Sequence, residues 1–155
     1  MAKAVAECKC RKCGATFFKE AIRGNRADAD NWETWAAQHY DLCPDCYKAE
    51  KTEKEAEKYA VLVSKYNFPT IEGVSEKQIA YADKLRCKFV VANEADMDEA
   101  VNFWNSVDWS EIAKIAEQEG KSVEQITRES VDRLYLGTLA CLKCQNAEKL
   151  IDMLK

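Results

Sequence analysis

Two cysteine pairs, Cys10-Arg11-Lys12-Cys13 and Cys43-Pro44-Asp45-Cys46, constrain this chain more than any other feature. A gap of two residues lets neighbouring thiolates close on one ion, and two such pairs supply the four sulfurs of a tetrahedral zinc site. Gly14 follows the first pair and can take the left-handed backbone angle a tight knuckle needs. Pro44 sits inside the second gap and pre-sets its turn. A site closed by four thiolates leaves no open position for a substrate or an activated water. The spacing therefore predicts a structural zinc, and a binding or scaffolding protein ahead of a metalloenzyme.

Of the 155 residues 47% are apolar, with only 5 Gly and 2 Pro, which predicts an ordered, helix-rich chain. The N-terminal MAKAVAECKC has no long apolar run, and no stretch approaches the roughly 20 apolar residues of a membrane span. Eight cysteines without an export signal predict reduced thiols in the cytoplasm, used for metal ligation and not for disulfides. The net charge of −4 is uneven: residues 1–93 carry 16 basic against 14 acidic side chains, residues 94–155 carry 7 against 13. That distribution excludes a uniformly basic coat for nucleic acid. The acidic C-terminal part suits a basic protein surface.

Residues 8–48 read as the metal module. Thr16-Phe17-Phe18 suits a short strand. Asp30 or Asn31 can cap a short helix carrying Trp32, Trp35, Ala36, His39 and Tyr40 on a face packed against the knuckles. The second knuckle opens a long helix, with Glu50 and Lys54 spaced for an i,i+4 pair, which ends at Asn67-Phe68-Pro69. A C-x₂-C in the first turn of a helix is a treble-clef-like arrangement, and the helix N-terminus favours thiolate charge. Residues 67–74 read as a linker. Ser75-Glu-Lys-Gln78 has the form of a capping box, opening a helix to about Ala92. Another helix follows Asn93, with Met97, Ala100, Val101 and Trp104 on one face. Asp108 caps a further helix, stopped by Gly120, and Ser122 opens a last long one with Gly137 as a kink. The expected fold is mainly α: a Cys₄ zinc-ribbon or treble-clef-like module with its following helix (residues 1–66), a linker (67–74) and a helical domain (75–155).

The remaining cysteines and the single histidine carry weaker signals. Cys8 is a spectator, because a one-residue gap makes a poor knuckle. His39 is a packed histidine beside the site ahead of an alternative ligand. Cys141 and Cys144 form a third C-x₂-C inside apparent helix, and with Cys87 they read as buried thiols in a helical core. No nucleophile is positioned near His39, so no catalytic residue is assigned. Lys77, Tyr81, Lys84 and Lys88 recur at i, i+4, i+7 and i+11, a basic stripe with one aromatic that could follow phosphates while Tyr81 stacks on a base. Arg11 and Lys12 add positive charge at the first knuckle. Residues 111–135 partly match helix-turn-helix and ribbon-helix-helix patterns, but their acidic charge is wrong for DNA.

Three segments together carry a resemblance: Cys10-x-x-Cys13-Gly14-x-x-Phe17, Asp30-x-Trp32-x-x-Trp35 through Cys43-Pro-x-Cys46-Tyr47, and Gly73-x-Ser75-Glu-Lys-Gln-Ile79-x-x-Ala82-x-Lys84-x-Arg86. They resemble uncharacterised zinc-ribbon proteins of phages and mobile elements of anaerobic Gram-positive bacteria, over residues 8–104. The resemblance implies a bacterial host cytoplasm and no particular activity. The expected function is a non-enzymatic zinc-binding adaptor in nucleic-acid transactions, with Arg11, Lys12, Lys77, Tyr81, Lys84 and Lys88 at the contact. The competing expectation is an anti-defence factor, an inhibitor that binds a host nucleic-acid-handling protein through its acidic surface.

Overall fold

The structure is a computed structural model that describes all 155 residues. It contains one two-stranded sheet and eight helices: β1 (Ala2–Lys9), β2 (Thr16–Arg23), α1 (Arg26–His39), α2 (Pro44–Tyr66), α3 (Glu76–Ala92), α4 (Met97–Ser106), α5 (Trp109–Glu119), α6 (Val123–Ser130), α7 (Arg133–Lys143) and α8 (Ala147–Leu154). The chain divides into two compact units, Met1–Lys54 and Glu55–Lys155.

In the first unit β1 and β2 pair antiparallel, from Ala2 opposite Arg23 to Lys9 opposite Thr16. The three-residue strand expected at Thr16 is thus the start of an eight-residue strand, one arm of a hairpin. Ala4, Ala6 and Cys8 of β1 point inward and are buried, while Lys3, Val5, Glu7 and Lys9 point outward, the period of two that a half-buried strand requires. α1 packs on the buried face. Its Glu33 accepts a hydrogen bond from the Val5 backbone N–H (2.9 Å), and Arg26 donates to the Lys3 carbonyl (3.3 Å), so side chains satisfy these two backbone groups on the outer edge of β1. The cap of α1 is Asn25, whose side chain accepts from the Asp28 N–H, about a turn and a half earlier than the Asp30 or Asn31 expected from sequence. The aromatic face also differs from expectation. Ala36 and half-buried Trp32 meet the cysteine core, whereas Trp35, His39 and Tyr40 are exposed and pack on one another, the first two stacked at 4.5 Å.

The second unit is a helical core built on Leu62, Phe68, Ile71, Ala82, Val90, Met97, Ala140, Cys141, Ala147, Leu150 and Leu154. The division between units falls inside α2, not in residues 67–74. Tyr59, Leu62, Val63 and Tyr66 of α2 belong to the helical core, and the expected linker is packed. Asn67 takes a left-handed angle (φ 52°) that turns the chain, the Phe68 N–H returns to the Val63 carbonyl, and Phe68 and Ile71 are buried. Glu72 then exchanges backbone hydrogen bonds with the Gln145 carbonyl and the Ala147 N–H (2.7 and 2.8 Å).

Ser75 caps α3 by accepting from the Gln78 N–H; the Gln78 side chain returns to the N–H of Val74, one residue short of a full box. Asp108 caps α5, and Gly120 ends it in the left-handed region. Beyond Ser122 the single expected helix is three. Asp132 accepts from the Leu134 and Tyr135 N–H groups and starts α7; Asn146 accepts from the Lys149 N–H and starts α8. Short acidic and amide side chains bond the local backbone more readily than they sit inside a helix, which is why the helix breaks there.

Gly137 lies inside α7, where the Phe89 ring of α3 presses close: a Cβ at Gly137 would stand 2.4 Å from Phe89 Cζ. Gly137→Ala gains helix propensity of up to about 1 kcal/mol but must displace a packed ring, for an expected net loss of about 1–3 kcal/mol. Urea unfolding measures this, and a stabilised variant would show that the ring moves freely.

Candidate metal centre and basic helix face

The two knuckles sit on different elements. Cys10 and Cys13 form the turn between β1 and β2; Cys43 precedes α2 and Cys46 lies in its first turn. The first knuckle is folded by two backbone bonds, Gly14 N–H to Cys10 carbonyl and Cys10 N–H to Ala15 carbonyl, both 2.9 Å. Gly14 takes φ 72° there. The Arg11 N–H donates to the Asp41 carbonyl (2.8 Å), which ties the first knuckle to the segment leading into the second. The sulfurs of Cys10, Cys13, Cys43 and Cys46 consequently lie within 4.8 Å of one another and could hold a metal ion.

The electrostatics of this cluster are those of a cation site. Backbone N–H groups of Cys43, Cys13 and Lys12 lower the Cys10 thiol to about 6, whereas Cys46, facing the sulfurs of Cys43 and Cys13, is pushed up to about 12. Four thiolates this close would repel one another, so a cation is needed for all four to give up their protons. A metal ion would compensate the repulsion and release those protons.

The other candidates lie apart from the cluster. Cys8 is buried under α1, its thiol directed at the Ala36 carbonyl. His39 is exposed and its Nδ1 bonds the Trp35 carbonyl (2.7 Å). Cys141 is wholly buried in the helical core, and burial pushes its thiol up to about 12. Cys144 is the C-cap of α7 and not part of a continuing helix; its thiol meets the Asn146 carbonyl (3.3 Å). Cys87 is half-buried on α3.

Arg11 and Lys12 are already engaged. Arg11 pairs with Asp41 (2.7 Å) and Glu50 (3.2 Å), and Lys12 with Glu53 (3.3 Å), so their charge is largely cancelled locally. Lys77, Tyr81, Lys84 and Lys88 are exposed along one face of α3, and none of the three lysines forms an ion pair. The Lys155 ammonium stands 5.8 Å over the Tyr81 ring. The opposite face of α3, with Ile79, Ala82, Leu85, Phe89 and Val90, packs into the core.

Sequence reasoning missed a polar group inside that core. Arg86 is 5% exposed, yet its guanidinium donates to Tyr59 Oη (2.5 Å), the Pro69 carbonyl (2.7 Å) and Asp83 Oδ1 (3.2 Å), while Tyr59 Oη donates to the same carboxylate (2.7 Å). Its signal in the sequence is only the Asp83/Arg86 spacing of three.

Fold and site together define a mainly helical protein with a β-hairpin and a four-cysteine cluster suited to a metal ion. No protein-family model, curated protein or solved structure matches the chain.

Proposed function

We propose that this protein is a non-enzymatic, zinc-bound adaptor in nucleic-acid transactions of a phage or mobile element, working in the bacterial cytoplasm. The zinc assignment rests on the donor set and its spacing. Zinc–sulfur bonds of about 2.3 Å in a tetrahedron place sulfurs about 3.8 Å apart, and Cys13 Sγ and Cys43 Sγ are 3.7 Å apart. A knuckle in a hairpin turn facing a knuckle at a helix N-terminus is a treble-clef-like arrangement.

The observation that carries the nucleic-acid reading is the α3 face, where three unpaired lysines flank exposed Tyr81. Cations at this spacing can follow a phosphate backbone, and the ring can stack on a base. The ion pairs of Arg11 and Lys12 make them secondary to α3. Fluorescence anisotropy with labelled single-stranded DNA and RNA at low salt tests the reading. Three lysine contacts predict a log–log salt slope of about −2. Lys77→Glu with Lys84→Glu and Lys88→Glu should weaken binding at least tenfold. Folded, metal-loaded protein that binds neither oligonucleotide at low salt would end this proposal.

One observation favours the second reading, an inhibitor of a host nucleic-acid-handling protein. Phe103, Ile112, Ile115 and Ile126 of α4–α6 line an apolar groove of about 590 Å³, in a region with 13 acidic against 7 basic residues. Such a surface complements the basic grooves of nucleic-acid enzymes. A purified host nuclease or helicase inhibited by the protein, with loss of inhibition on Ile115→Asp, would favour it over α3.

A further inference from the structure

A second recess, open to solvent, lies on the other side of α6 and is lined by α5, α6, α7 and α8 of the helical unit. Its volume is about 550 Å³, the range of small-molecule sites. Trp109, Val123, Leu136, Leu139 and Met153 give it apolar walls, and all five are partly exposed there instead of closing on one another.

The charged groups of this cavity that have no ion pair are of one sign. Lys143 and Lys149 both line it, and neither forms an ion pair. The one carboxylate in the lining, Glu124, is engaged by Arg128 at 3.2 Å. The Thr127 hydroxyl is committed to the Val123 carbonyl (2.8 Å) and the Cys144 thiol to the Asn146 carbonyl (3.3 Å). What remains free is two ammonium groups beside an apolar recess, in a unit otherwise rich in carboxylates. Lys143 is at home in the last turn of α7, where a helix favours positive charge. Lys149 is not: it occupies the first turn of α8, where positive charge is disfavoured unless an anion compensates it.

From these observations the geometry points to a binding site for a small amphiphilic carboxylate, its apolar body among Trp109, Leu136, Leu139 and Met153 and its head group between Lys143 and Lys149. The occupant is a small molecule because the lining converges on one recess of ligand size with two like charges at its rim. This site is independent of the α3 face and of the cysteine cluster.

Trp109 supplies an intrinsic probe. Full-length, metal-loaded protein is titrated with monomeric dodecanoate while tryptophan emission is followed, and Trp109→Phe assigns the signal. Dodecyltrimethylammonium, dodecanol and an acidic Leu/Glu amphipathic peptide are titrated in parallel. Dodecanoate is expected to saturate and to bind at least tenfold more tightly than the cationic and neutral amphiphiles. Lys143→Glu and Lys149→Glu, both surface changes, should each weaken it about tenfold, and Leu139→Trp should block it by filling the recess. Amide shifts on saturation should fall in α5–α8. The proposal is overturned by amphiphiles binding alike whatever their charge, by charge reversals that leave affinity within twofold, or by no saturation. Saturation by the acidic peptide with none by dodecanoate would replace the small ligand with a protein partner.

Discussion

Stripping the proposed metal, or replacing Cys43 with serine, should unfold the N-terminal unit and leave the helical unit intact. The core of Met1–Lys54 is small: Ala6, Cys8, Cys10, Phe17, Ala36 and Cys43 are its buried cluster, with Trp32, Leu42 and Cys46 against it. Only Phe17 among the buried members is large, and alanines and thiols give little apolar area. A lone two-stranded hairpin is marginal in water, and a unit of this size needs a further constraint. Metal ligation by four cysteines supplies about 10–16 kcal/mol in small zinc modules, more than this core can replace. Hydrogen exchange read by mass spectrometry should therefore show β1, β2 and α1 losing protection on chelation and in Cys43→Ser. Segments around Val90, Met97 and Leu150, buried in a separate core, should keep theirs. Cys8→Ala serves as the control, because Cys8 packs under α1 and lies outside the cluster; it should retain the metal and the protection. A metal-free Cys43→Ser chain with a protected hairpin would show that the cysteines are dispensable to the fold.

What the sequence disclosed and what it hid follow from how local each determinant is. Knuckle spacing, the Ser75, Asp108 and Ser122 caps and the Gly120 stop are set by neighbours within a few residues, and each reads directly from the chain. The amphipathic split of α3 is likewise a matter of periodicity. β1 escaped because its inward residues are two alanines and a cysteine, which give alternation almost no hydrophobic contrast. The breaks before α7 and α8 escaped because apolar residues continue at helical spacing across Asp132 and Asn146, and only the caps reveal the interruption. Glu72 is tied to Gln145 and Ala147, far along the chain, whereas locally only the helix stop at Pro69 and the cap at Ser75 are visible, and these read as the ends of a linker. The ion pairs that occupy Arg11 and Lys12 are equally non-local, joining the hairpin turn to Asp41 and to the N-terminal half of α2.

The largest expected effect in the helical unit is at Arg86. Its guanidinium is buried, and three geometrically distinct acceptors hold it: Tyr59 Oη, the Pro69 carbonyl and Asp83 Oδ1. It also lies 5.8 Å from the ring centres of Tyr59 and Phe68. Arg86→Ala would leave the Pro69 carbonyl and Tyr59 Oη without this donor and open a cavity beneath Phe68, at an expected cost of about 3–5 kcal/mol. Arg86→Lys keeps the charge but not the planar fork, and one ammonium cannot satisfy three acceptors set apart in this way, so most of the loss should persist. Asp83 is half exposed, so Asp83→Asn, which still offers a carbonyl oxygen to Tyr59 and Arg86, should cost clearly less. Burial together with the Asp83 carboxylate raises the Tyr59 phenol above its ordinary value. Tyr59→Phe therefore removes a neutral donor and should fall between the two. Urea unfolding of the four variants gives the order Ala, Lys, Phe, Asn from most to least destabilised. An Arg86→Ala loss below about 1 kcal/mol, the range of an exposed ion pair, would mean that the fold does not depend on this buried fork, and that Phe68 and Ile71 hold the 67–74 segment in the core by packing alone.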